Sequence, residues 1–387
     1  MQCNEQQPCH NCLKYQSQCI YQTDLGQKQR QSPVRGKDPT PTADATASGS
    51  VIGAMELLAG PSSLYDFSST ADLALQDLEL MHHFTTSVAR TLSHRSDIQD
   101  TWAIALPQHA YTCDYLMDGL LALSALHINS VNSEPKRHDY AGLSTYHLQR
   151  SLVRFRENLA NISAANCVPL FGLSSLMAIL VCAQSAMENP SHSRESTLSP
   201  LAMLVKIFNM CRGVETILAP YRGEIYQCSL RPLLHEDYRL VINISSGHLP
   251  NQPSSSNEEQ TELSALADFI KTQDLPAQEQ TIYLDALSKL NTALRFMRVA
   301  NEPLEPGAAF VWPILLQREF IPLMQRQAPL ALVLTAFYCV VLHRLDGYWF
   351  LCGWCRSLIV EIGDSLAEEM QVWIRWPRRV CGLECAA

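Results

Sequence analysis

The chain has 387 residues, 47% hydrophobic and 17% charged, which is ample for a large packed core and too long for one small module. Its net charge of -9 is uneven: residues 1–50 carry five Lys/Arg against four acids, whereas the remainder carries 24 against 34. An acidic body is not drawn to nucleic acid by its own field, so any such contact belongs to the N-terminal tip.

The first element in chain order is a cysteine cluster. Cys3, Cys9, Cys12 and Cys19 follow the spacing C-x5-C-x2-C-x6-C. Zinc takes thiolates at tetrahedral angles, and the tight turn of Cys9-His10-Asn11-Cys12 presents two sulfurs to one ion. No charged stretch followed by an apolar run comes after Met1, the pattern of a secretory signal, so zinc is favoured over disulfides. The other ten cysteines lie among apolar residues, where a reduced cysteine behaves as a small hydrophobe.

The run from Cys3 through Pro8 to Cys9 and Cys12, then Cys19 and Tyr21, resembles the second half of the fungal binuclear zinc cluster, a DNA-binding module in which six cysteines hold two zinc ions. The resemblance makes these the third to sixth cysteines and places the family's first C-x-x-C, with its Arg/Lys-rich helix, upstream of Met1. Those upstream residues enter the major groove in the family, so DNA binding by this chain is expected to be weak or lost. The four cysteines present suffice for a single four-sulfur zinc site. By the same analogy Lys14 is a DNA phosphate contact, with a merely solvated lysine as the alternative.

Residues 22–70 read as a flexible linker. From Gln22 to Gly53 the composition is Gln, Ser, Thr, Pro and Gly with almost no large apolar residue, too little to order itself. Residues 71–387 read as an all-α body. Apolar stripes at helical spacing run through Leu78, Met81, Thr85, Val88 and Leu92, through Leu148, Leu152, Phe155, Leu159 and Ile162, and through Leu287, Leu290, Leu294 and Met297. Val168 to Cys182 is apolar on nearly every face and predicts a central buried helix. Leu330 to Leu342 is a 13-residue apolar run, short of the ~18 residues a membrane span needs, and predicts a second one. Pro107, Pro135, Pro276 and Pro329 mark helix boundaries. Glu188 to Pro200 and Ser245 to Glu262 read as exposed loops, and only Tyr238 to Ile244 has strand character.

The body carries its own resemblance. Leu75 to Thr85, Leu120 to His127, Leu342 to Asp346 and Trp373 to Pro377 resemble, in order, the regulatory domain of fungal sterol uptake control proteins, from about residue 71 to 383. This implies a regulatory helical domain and, as in some members, a sterol or other apolar ligand. The ligand-contacting residues are not identified; an apolar pocket is expected from the aromatics Trp349, Phe350, Trp354, Trp373 and Trp376 with the 330–342 helix.

Remaining motifs read as structural. Cys352-Gly353-Trp354-Cys355 invites a redox reading, but core packing fits its aromatic surroundings better. Of the adjacent His82 and His83, one should face the core and the other solvent. No phosphate-cradling glycine loop, G-x-S-x-G or H-E-x-x-H is present, so nothing supports an enzyme. The expectation is a nuclear transcription regulator with no membrane span; any dimer, with itself or a relative, would have to form through the helical body because no heptad follows the cluster. The alternative is a helical regulator that acts through protein contacts without DNA.

Overall fold

The computed structural model describes residues 70–131, 139–187, 199–234, 257–299 and 303–383. Cys3, Cys9, Cys12, Cys19 and Lys14, with segment 1–21 and the linker to residue 69, lie outside the described residues, as do Pro135 and Tyr238 to Ile244. Among the described residues every regular element is helical and none is a strand.

The chain opens with α1 (Thr70–His83), which continues through a wide π turn (Phe84–Val88) to Thr91. Thr85 and Thr86 donate their hydroxyls back to the His82 carbonyl at 3.1 and 2.8 Å inside that turn. The buried stripe here is Leu80, Phe84, Val88 and Leu92, whereas Leu78 is 68% exposed. The expected stripe through Leu78 is therefore corrected: its start was set two residues early, and the strict four-residue step from Leu80 follows the helix face.

A second π turn, Thr101–Ala105, joins α2 (Ser96–Asp100) to Leu106–Ala110 and stands one turn before Pro107. Proline lacks an N–H and crowds the carbonyl four residues back, so the widened turn lets the helix run past it. Helices α3 (Asp114–Val131) and α4 (Tyr140–Leu159) then pack along each other and against α5 (Cys167–Met187). Asp139 caps α4 by accepting from the Gly142 N–H at 3.0 Å.

Residues Cys167–Gln184 of α5 are long and apolar enough to cross a bilayer, but 72% of that window is buried inside the protein against α3 and α6 (Pro200–Leu218). It is the core helix its composition predicts. A short helix α7 (Arg222–Gln227) follows. The stretch expected as loop to Glu262 is corrected at its end: α8 (Asn257–Thr272) begins there, with Glu258 and Glu259 in its first turn where the helix dipole favours acids.

Helix α9 (Ala277–Val299) buries Leu287, Leu290, Leu294 and Met297, as its period requires. The short helices α10 (Val311–Leu315) and α11 (Phe320–Gln325) lead to α12 (Pro329–His343), buried from Leu330 to Leu342 with Pro329 in its first turn. Around it close α13 (Trp354–Ser365) and α14 (Arg375–Val380). The core centres on Phe208, Trp312, Tyr338 and Phe320, whose rings meet edge to face or tilted at 4.9 to 5.7 Å. Inside it Trp312 Nε1 donates to the Ala286 carbonyl and the Tyr338 hydroxyl to that of Ala309, so neither aromatic buries an unpaired donor.

Candidate ligand cavity

A cavity of about 290 Å³, part-open to solvent, lies where α2, α5, the end of α6, α7 and the segment 305–314 meet. Its walls are largely apolar, built by Leu92, Ile98 and Trp102, by Phe171, Ala178 and Ile179 of α5, and by Phe296 and Val311. Ser174 and Ser175 also line it, but each hydroxyl donates to its own helix, at the Leu170 and Phe171 carbonyls. Besides these serines and Glu305, the polar side chains are Arg222 and Tyr226, both exposed and so at the rim. Such a shape fits an apolar body carrying one polar end.

Glu305 lines the cavity too and holds its edge together. Oε1 accepts from the backbone N–H groups of His94 and Arg95 at 3.1 Å each, and Oε2 accepts from Ser93 Oγ at 2.6 Å. The carboxylate thus ties segment 303–310 to the turn that starts α2.

The cavity is not built by the expected aromatics. Trp349 donates to Thr91 Oγ1 at 3.0 Å, Trp376 lies 5.1 Å from Phe337, and Trp373 stacks on Phe269 at 4.2 Å. Those rings, and the 330–342 helix, fill core or clamp neighbouring helices instead, and the cavity draws its walls from residues the sequence did not single out. His82 is exposed and His83 half-buried, as expected. His83 Nε2 meets His127 Nδ1 at 2.9 Å, and the His127 ring sets its edge on Trp349. Burial, with a smaller contribution from His83, pushes the His127 pKa down to about 4, and burial lowers that of His83, so the pair is neutral at pH 7.

The Cys352-Gly353-Trp354-Cys355 motif is divided by the fold. Gly353 takes a left-handed φ of 73° at the start of α13, leaving Cys352 exposed while Cys355 turns inward. Uniform core packing of this motif is corrected accordingly. Cys355 Sγ lies 3.8 Å from His343 Nδ1, and Cys381 stands beside both. A hydrogen bond from Cys381, with help from His343, brings the Cys355 thiol down to about 7 against the opposing effect of burial, while Cys381 is raised.

Residues 79–211, from α1 into α6, match the family described as the fungal specific transcription factor domain. The chain is 27% identical over 325 residues to a Zn(2)-C6 fungal-type transcription factor of Gibberella zeae, covering 80% of this chain and 62% of that protein. It is 26% identical over 313 residues to Sterol uptake control protein 2 of Saccharomyces cerevisiae, covering 78% of this chain and 31% of that protein. For the Candida albicans protein of that name the identity is 25% over 317 residues, with 76% and 41% covered. The chain thus spans under two thirds of each. Set on the structure, the matched segment supplies the α2 and α5 walls of the cavity with Leu92, Met210 and Cys211, and residues beyond it supply the rest.

Proposed function

We propose that this chain is a zinc-cluster-type transcription regulator acting in the nucleus, whose helical body, residues 71–387, responds to an apolar ligand. Residues 1–21 contribute to a zinc cluster through Cys3, Cys9, Cys12 and Cys19, with DNA as its partner and Lys14 on phosphate, and residues 22–70 serve as the linker. The cysteine spacing and the names of the relatives support this part.

The cavity carries the ligand part. An apolar cavity of ~150 Å³ holds one benzene ring, so 290 Å³ takes an apolar body of roughly twelve carbons. A sterol would place its narrow end or part of its ring system inside and lie across the open mouth with the remainder. Its hydroxyl would meet the rim of Arg222 and Tyr226. Transcript profiling tests the reading: deleting the gene should change a defined set of transcripts, and sterol depletion should change the same set in the parent. A deletion strain with the parent's profile under both conditions would contradict it.

One observation favours a role in protein contacts alongside this. Leu75 and Leu78, three residues apart on α1, are 67% and 68% exposed and share a helix face. Sedimentation of the full chain should give a dimer that the double change Leu75→Glu, Leu78→Glu dissociates; a monomer at all concentrations would count against it.

A further inference from the structure

Three separate segments bring two buried thiols and an imidazole to one point. His343 ends α12, Cys355 sits in the first turn of α13, and Cys381 follows α14 directly. Cys355 is 2% exposed and Cys381 6%, and the Nδ1 and two Sγ atoms all lie within 4.8 Å of one another. The turns that deliver them are specified. Gly353, with its N–H on Asp346 Oδ1 at 2.7 Å, swings Cys355 inward, and Gly382 at φ 70° terminates α14 just after Cys381.

The spacing suits a metal better than the alternatives. Zinc holds sulfur at ~2.3 Å and imidazole nitrogen at ~2.0 Å, which at tetrahedral angles puts neighbouring ligand atoms ~3.5 to 3.8 Å apart. The Cys355 Sγ to His343 Nδ1 distance is already 3.8 Å. A disulfide instead needs its sulfurs at ~2.05 Å. The imidazole nitrogen meets the Cys355 sulfur and has the Cys381 sulfur within 4.8 Å, and the nearby Asp346 carboxylate adds negative charge that favours a cation.

We propose that His343, Cys355 and Cys381 bind one Zn2+ through Nδ1 and two thiolates, with water as the fourth ligand, pinning residues 375–383 to α12 and α13. Binding converts two thiols to thiolates and releases two protons to solvent, with no change of oxidation state. None of its ligands is one of the four N-terminal cysteines. It makes the closure of the C-terminal segment over the buried α12 dependent on zinc supply.

The test uses the full chain with Cys3, Cys9, Cys12 and Cys19 all changed to Ser, so that only the body's ligands remain. Elemental analysis after dialysis against Zn2+ should give about one zinc per chain, falling to about zero with Cys355→Ser or Cys381→Ser. Co2+ in place of zinc should give sulfur-to-cobalt charge-transfer absorption that the same variants lose. Should a cysteine variant fail to fold, His343→Gln, at a half-buried position, keeps the test: it should weaken zinc binding while circular dichroism stays unchanged. Equal zinc content in parent and variants would overturn the proposal. So would a Cys355–Cys381 disulfide, found by mass spectrometry, in chain that takes up no zinc after reduction.

Discussion

Replacing Glu305 separates the contribution of its charge from that of its shape at the cavity edge. The carboxylate accepts three hydrogen bonds, two from the backbone N–H groups of His94 and Arg95 and one from the Ser93 hydroxyl. A charge-assisted bond is worth ~1.5 to 3 kcal/mol net, but His94 is exposed, so its freed N–H can hydrate and only the other two bonds count, at the lower end. Glu305→Ala should therefore cost about 3 kcal/mol. Glu305→Gln retains a carbonyl oxygen for the two backbone donors and an amide that Ser93 Oγ can accept from, so it should cost about 1 kcal/mol. At roughly 2 °C per kcal/mol for a body of this size, the apparent Tm should fall by about 6 °C and about 2 °C respectively. Differential scanning fluorimetry of the full chain measures both. An Ala variant as stable as the parent, or a Gln variant as damaged as Ala, would refute the assignment of Glu305 as the tie.

Further outcomes follow from other parts of the fold. Because the folded pKa of His127 lies near 4, below the unfolded value near 6.5, the unfolded chain binds more protons between them, so stability should fall as pH drops through that window, by roughly 2–3 kcal/mol. His147 acts oppositely: burial disfavours its charge, but Asp118 at 2.9 Å and Asp77 at 3.3 Å outweigh this and raise its pKa, so its stabilisation is complete below pH 6.5 and lost above as pH passes the folded value. Urea unfolding across pH 4.5–8 should peak near 6.5, and His127→Leu should flatten the acid side; an unchanged acid slope in that variant would refute the role of His127. At the contact of α3 with α5, a Cβ on Gly119 would stand 2.5 Å from Leu173 Cδ1. Gly119→Val should destabilise by about 2 kcal/mol and Gly119→Ala by less, since the leucine tip can yield and alanine favours helix; equal midpoints for both and the parent would show that the packing there is loose.

Much of the fold was legible because helical period survives wherever a helix has one buried face. The stripe of α9 is buried residue for residue and that of α4 from Leu148 to Leu159, with Ile162 falling past the helix end and only partly buried, and α5 and α12 declare themselves by being apolar all round. On α1 the reading slipped, because leucines at Leu75, Leu78 and Leu80 offer two faces and only packing decides between them. The cavity was not legible: its walls are ordinary core residues drawn from segments spread between Leu92 and Ile314, and nothing in Phe171 or Ile179 distinguishes a cavity wall from a core contact. The thiol–imidazole cluster left a partial signal in the Cys352 to Cys355 motif, but Cys381 joins it from 26 residues further on, through a closure that only tertiary packing sets. The left-handed glycine at Gly353 was the available clue that the two cysteines of the motif part company.

The most direct measurement of the central claim is equilibrium binding of radiolabelled ergosterol to the full chain, in parallel with Ala178→Phe, which places a ring where α5 lines the cavity. The account expects saturable binding by the parent, competed by unlabelled sterol, and at least a tenfold weaker affinity, about 1.4 kcal/mol, in the filled variant. No saturable binding, or equal binding by a folded Ala178→Phe chain, would contradict it.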